Sequence, residues 1–323
     1  MRPEAMVRKR LNLKIVVPIL LSVSLIVFLL GFGDLSVVAD RIGLLTLGTL
    51  AAVFGLAVVY LVLKLLQYRR LLAKLHIHPS WTQMALSFAI GEMSLSLPAG
   101  AYAQGFVLKH VHGAQVSRSA AAATFALGYE GALALITLAL LDIPAWGWLR
   151  PALGIFFAVA ALVLVLLLFV PAVSRGLTWV VTADGWRKPG GWLLIVARSV
   201  RELATPRTLI PSALLAAGYM SCVVGSFLLV GRGVGISDFR VDEATTVYFF
   251  GLAVVLLLGP ASTQLGVIEV SGLGAMFAWG YSRNEALAAL LGFRLVWTAS
   301  VWLVCIPVTI LLRHALVAQE PAG

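Results

Sequence analysis

The chain has 323 residues, 61% apolar and only 12% charged, with a mean hydropathy of +0.99. A soluble domain carries about 25% charged residues, so this composition excludes one and describes an all-α polytopic membrane protein. The net charge of +10 does not indicate nucleic acid as a partner, because the basic residues cluster between apolar runs, where they set topology. Cys222 and Cys305 stand singly in apolar surroundings, which excludes a disulfide framework or a cysteine-rich metal site.

Arg2, Arg8, Lys9, Arg10 and Lys14 precede a first apolar run, residues 15–30. It reads as an uncleaved anchor with its N-terminus in the cytoplasm; cleavage after Ala39 is the alternative. A second span covers 44–66, at the ~20 residues a bilayer requires. The loop before it holds Asp34, Asp40 and Arg41 and suits the outside. Lys64, Arg69, Arg70 and Lys74 at its end suit the cytoplasm. The next stretch, 81–97, holds Ser87, Glu92, Ser94 and Ser96 and stops at Pro98. As a helix it would reach about 25 Å, short of the ~30 Å hydrocarbon core. It predicts a re-entrant hairpin that returns to the inside near Lys109 and Arg118. Span three is 119–141, with Ala120 to Ala123, Gly128 and Gly131 for close helix approach. Trp146 and Trp148 then mark an outer interface.

Span four is 151–170. The basic segment 174–207 follows on the inside, with 192–203 lying along the inner interface as an amphipathic helix. Span five is 209–230, and the mixed loop 231–243 suits the outside. Residues 244–258 are too few to cross comfortably. They lead into Gly259-Pro260-Ala261-Ser262-Thr263-Gln264-Leu265-Gly266-Val267-Ile268-Glu269, where helix breakers and a carboxylate interrupt an apolar run. Irregular backbone at membrane depth is tolerated where it is buried in protein or lines a watery cavity. The return limb is 266–279 and span six is 285–312. The expected architecture is therefore six full spans plus two re-entrant broken hairpins, forming one domain over 1–323. Eight ordinary spans are the alternative. Eighteen Lys and Arg fall in the inner segments and five in the outer ones, which places both termini in the cytoplasm. The halves 1–141 and 151–314 repeat one order of elements from opposite sides, as in an inverted-topology repeat whose interrupted helices meet at a transport site.

Three acids, Glu92, Glu130 and Glu269, fall within apolar stretches, with Arg294 as the single basic residue there. Each buried charge costs ~2.5–3.5 kcal/mol on insertion scales, so pairing or an aqueous cavity is expected. One arginine cannot neutralise three carboxylates; either some carry a proton or they face water. The functional reading is a polar cavity for a cationic or zwitterionic headgroup. The alternative is structural pairing between helices, Glu269 with Arg294. Half-helix N-termini opening at Pro260 and Gly266 would suit a phosphate. His76-x-His78 and His110-x-His112 read as interfacial polar surface before they read as a metal site. No metal site and no cofactor is expected. Gly231-x-Gly233-x-Gly235 lies outside any βαβ unit, and there is no Walker A, His-Glu-x-x-His or Gly-x-Ser-x-Gly pattern.

Pro260-x5-Gly266-Val267-x-Glu269, followed by a small-residue helix, Gly280 and Phe293-Arg294-Leu295, resembles the C-terminal part of the flippase-like family that contains the transmembrane half of bacterial lysylphosphatidylglycerol synthetases. Leu97-Pro98-Ala99-Gly100 and Tyr68-Arg69-Arg70 are similar to its first half. The chain departs from the family pattern at Ser262, Thr263 and Gln264, at Tyr102-Ala103 and at Tyr129-Glu130. The resemblance implies lipid translocation in a bacterial inner membrane, with a phospholipid as substrate and no aminoacyl transferase activity. On this reading Glu269 and Arg294 are the central polar pair, Glu92 lines the opposite hairpin, Pro260 and Gly266 shape the break, and Pro98, Glu130 and Gln264 belong to the same translocation site. Two alternatives remain: a membrane-embedded transferase on lipid-linked donors with Glu92 or Glu130 as base, and a non-catalytic partner of a lipid-modifying enzyme.

Overall fold

Apolar runs of very different length make up this structure, a computed structural model that describes residues 34–95, 100–141, 202–258 and 266–317 and the isolated positions 31, 147, 151, 152 and 199. The expected spans 15–30 and 151–170, most of the basic segment between 174 and 207, and the hairpin tips with Pro98, Pro260 and Gln264 lie outside the described residues. All regular elements among the described residues are helical.

Helix α1, Leu35–Gly43, is capped by Asp34, whose carboxylate accepts from the Ser36 backbone N–H at 3.0 Å. That bond and one from the Ser36 hydroxyl hold the Asp34 carboxyl below its ordinary range. Helix α2, Leu47–Lys74, starts at Thr46, which caps the Thr49 N–H. Helix α3, Trp81–Ser94, opens on a Ser80/Gln83 capping box. A single 3-10 turn, Gly100–Tyr102, leads into α4, Ala103–His112. Helix α5 is Val116–Leu140, and α6 is Pro206–Gly233 with proline at its first position. Helices α7, Val241–Leu258, and α8, Val267–Ala278, precede α9, Arg283–Val317.

Four of these, α2, α5, α6 and residues 283–313 of α9, are long and apolar enough to cross a membrane. At ~1.5 Å per residue, the 14 residues of α3, 10 of α4 and 12 of α8 span only about 15–21 Å. These short paired helices are where the re-entrant segments were expected. Helix α2 runs eight residues beyond the predicted end of span two, which carries Lys64 into the helix interior instead of a cytoplasmic flank.

Helices α2 and α6, each 28 residues, pack antiparallel along their length. Leu63 lies over Gly218, Leu56 over Gly225 and Leu45 over Gly233. Beside Pro211 of α6, the carbonyls of Leu209 and Ser212 accept from Tyr129 at 3.1 Å and Gln67 at 3.0 Å. The α3–α4 hairpin packs against α9, and the α7–α8 hairpin packs against α5. Both hairpins close on a glycine at the eleventh position of their first helix, against the second residue of their second. A Cβ on Gly91 would come within 2.8 Å of Gln104 Cβ, and one on Gly251 within 3.1 Å of the Ile268 Cα. Tyr60 and Tyr219 each hold the fourteenth position of their helix and meet edge to face at 5.6 Å. At the N-terminal end of α9, Arg41 of α1 pairs with Glu285 at 3.3 Å, and nearby Tyr281 donates to Glu243 at 2.5 Å. Burial and that carboxylate push the Tyr281 hydroxyl above its usual range.

Candidate functional site

The central tyrosine pair organises one buried ionic network. Lys64 lies one turn after Tyr60 on α2, so the two share a face. All three ammonium protons have an oxygen within reach: Tyr60 Oη at 2.7 Å, Glu92 Oε1 at 3.3 Å and Glu130 Oε1 at 3.3 Å. Tyr60 in turn donates to Glu92 Oε2 at 2.9 Å, and Tyr219 donates to Glu130 Oε1 at 3.0 Å. Glu92 and Glu130 are both buried. Thus α2, α3, α5 and α6 converge on two carboxylates that share one ammonium.

This corrects the expectation that Arg294 is the sole cation among the intramembrane acids. Lys64 was counted with the cytoplasmic charges because it stands close to Arg69 and Arg70 in sequence. Its helix continues for ten more residues, so its side chain stays within the bundle. The signal in the sequence was Tyr60 four residues earlier, which offers a lysine a polar partner on the same helix face.

The second network lies at the start of α8. Gly266 adopts φ of 87°, a left-handed conformation that a side chain would strain. It sets the direction of α8, whose third residue, Glu269, reaches back so that Oε2 accepts from the Gly266 N–H at 2.5 Å. A carboxylate in the first turn also complements the helix dipole. The other oxygen, Oε1, lies 2.9 Å from Arg294 Nε. Both oxygens of Glu269 are therefore engaged. The guanidinium is not: Nε and Nη2 of Arg294 are shielded from solvent, yet neither has an aligned hydrogen-bond acceptor among the described residues. The residue as a whole is half-buried, so these inward-facing nitrogens are the part of the guanidinium that lacks an aligned acceptor.

Arg294 and Glu92 line one cavity of about 50 Å³, walled by Tyr60, Tyr248, Phe293 and Trp297. Trp297 stacks on Phe293 at 5.9 Å and meets Tyr60 edge to face at 5.0 Å. The volume is well below the ~300–1,000 Å³ of a small-molecule pocket, so the cavity is too narrow for a headgroup in this conformation. Its chemistry combines a carboxylate, a guanidinium and aromatic rings.

Of the predicted site residues, Glu92 and Glu130 come together through Lys64, and Gly266, Glu269 and Arg294 form the other centre. Pro98, Pro260 and Gln264 lie outside the described residues. The two His-x-His pairs belong to no group of three metal-capable side chains among the described residues. Lys64, Tyr60, Tyr219, Tyr248 and Trp297 were not foreseen. Tyrosine and tryptophan in apolar helices usually signal core or interface, so only the fold singles them out. The interrupted helices, the intramembrane acids and the Phe293-Arg294 segment on α9 are thus parts of one assembly. No curated protein and no solved structure matches the chain. Residues 15–306 match the family described as the lysylphosphatidylglycerol synthase TM region, and the chain belongs to that family of membrane proteins, whose role is lipid-related.

Proposed function

We propose that this protein translocates a lipid headgroup between leaflets through the cavity that Arg294 and Glu92 share. The observation that carries the reading is the half-buried Arg294 guanidinium, whose shielded Nε and Nη2 have no aligned acceptor among the described residues, in a cavity that also offers a carboxylate and aromatic faces. A phosphate would satisfy Arg294. An ammonium in the same headgroup would find Glu92 and the rings of Tyr60 and Trp297. The headgroup is therefore read as zwitterionic or cationic. Because the cavity admits only a few waters, the hairpins must part from α5 and α9 for a headgroup to enter.

That motion fits an inverted repeat with halves 1–141 and 151–314, which we also propose. Its support is the antiparallel α2–α6 pair and the matched positions of Tyr60 with Tyr219 and Gly91 with Gly251. The two halves would rock about the tyrosine pair and expose the cavity to each side in turn. With Lys64 removed from the inner flank, seventeen basic residues remain inside against five outside, which supports cytoplasmic termini in a bacterial inner membrane. The test is flipping of fluorescent phosphatidylglycerol and phosphatidylethanolamine in proteoliposomes. Arg294→Ala/Glu269→Ala is expected to lower the rate at least tenfold. Equal flipping by wild type and double variant would sink the site assignment.

A further inference from the structure

Glu92 borders two cavities. The first, already described, holds Arg294; the second, of about 20 Å³, is bounded by Lys64, Gly91, Gln104, Leu127 and Glu130. They occupy matching places in the fold. Ile268 and Arg294 of the first hold, on α8 and α9, the helix positions that Gln104 and Leu127 of the second hold on α4 and α5. Glu92 thus stands on the wall between two equivalent chambers and is reached from both.

The charge around it does not balance. Among the described residues, two carboxylates share one ammonium that has three oxygens within 3.3 Å, so one negative charge is left over at bilayer depth. An unpaired charge there is expensive, and a further cation is required. A chamber of about 20 Å³ has room for about one water, and the smallest cation is a proton. We infer that Glu92 and Glu130 share one exchangeable proton, which Glu92 takes from one chamber and releases to the other. Only O–H bonds form and break, and water in the chambers carries the proton to and from the carboxyl. The groups that face this proton are Tyr60 and Lys64 on α2, Glu130 on α5, Tyr219 on α6, Tyr248 on α7, and Arg294 and Cys305 on α9. Helix α4 presents Gln104, which does not titrate, and the 3-10 turn presents Tyr102, which bonds Thr124 at 3.4 Å.

Infrared spectroscopy of the full chain in phosphatidylglycerol vesicles, titrated with pH in H2O and D2O, tests the site. Wild type should show one carboxylic acid C=O band that shifts in D2O. Glu92→Gln and Glu130→Gln should each abolish it, because either change leaves one carboxylate matched to Lys64. Tyr219→Phe, a milder change that keeps the packing, should move its titration midpoint. The absence of such a band, or its survival in both glutamine variants, would overturn the proposal; so would a spectrum that answers to sodium and not to pH. Coupling to transport rests on the translocation reading. There, an imposed pH gradient should change the flipping rate of labelled phosphatidylglycerol several-fold, and the ratio should fall to one in Glu130→Gln. Flipping in wild type that ignores the gradient overturns the coupling. If the band behaves as stated and no labelled lipid flips, the proton site stands and the translocation reading falls.

Discussion

The two ionic centres of this protein are unlike in what they leave over. At Lys64 the ammonium donates to Tyr60 and has a carboxylate oxygen 3.3 Å away on each of two glutamates, so among the described residues the surplus is negative: two carboxylates for one ammonium. At Arg294 the single carboxylate is spent on two tasks, and Nη2 is left without an acceptor among the described residues. On the proposed reading, the lysine centre takes a small cation and the arginine centre an anion. They lie on either side of Glu92, which touches both chambers. A pair of neutral, self-satisfied salt bridges would hold helices together just as well and would recruit nothing.

The largest effect expected is at the lysine centre. Lys64→Met strands two buried carboxylates and should cost about 3–5 kcal/mol, read as a fall in the thermal unfolding midpoint in detergent. Adding Glu92→Gln and Glu130→Gln to that variant should recover most of the loss. If Lys64→Met alone is as stable as wild type, the centre is not buried in the functional state. At the arginine centre, Glu269→Ala removes a helix cap and a charge partner together; a loss of about 2–3 kcal/mol is expected. The same variant should bind anions more readily through the released guanidinium, which phosphate-dependent protection from thermal unfolding would reveal.

Next come the hairpin glycines. Gly251→Ala drives a Cβ to within 3.1 Å of the Ile268 Cα, and overpacking of this kind costs about 1–3 kcal/mol. Gly91→Ala meets Gln104 in the matching place, so the two variants should slow flipping to a similar degree if the halves rock as a pair. A large effect from one and none from the other would argue against the repeat. Tyr219→Phe keeps the edge-to-face packing and loses only the bond to Glu130; about 1 kcal/mol is expected in the same melting assay. Smallest is Asp242→Asn, which breaks an exposed ion pair with Arg240. Its effect should stay below about 1 kcal/mol, and it serves as the control for the buried centres.

Much of the fold was legible because apolar length and helix breakers act locally. Spans two, three, five and six appear within a few residues of their predicted starts, and the short helices fall where runs of fewer than twenty residues stood. The Glu269–Arg294 pair was legible too, since a buried acid and a buried base in neighbouring segments have strong reason to meet. Lys64 was not. Its place beside Arg69 and Arg70 suggested a flank, and only the continuation of α2 makes it internal. The matched positions of Tyr60 with Tyr219 and Gly91 with Gly251 also escaped a reading of residues in order. The halves share spatial positions far more than residue types: Glu130 and Trp297 hold equivalent places on α5 and α9.

The sequence by itself determined that this chain lives in a membrane, where its helices break, and which acids must find partners there. Those follow from the cost of exposing apolar surface to water and of burying charge in hydrocarbon, both properties of single residues and short runs. Only the tertiary structure decided who pairs with whom. The antiparallel packing of α2 on α6 brings Tyr60 to Tyr219 and so carries Glu130 to Lys64. The balance of charge at each centre depends on that meeting of distant segments, which no run of neighbouring residues could reveal.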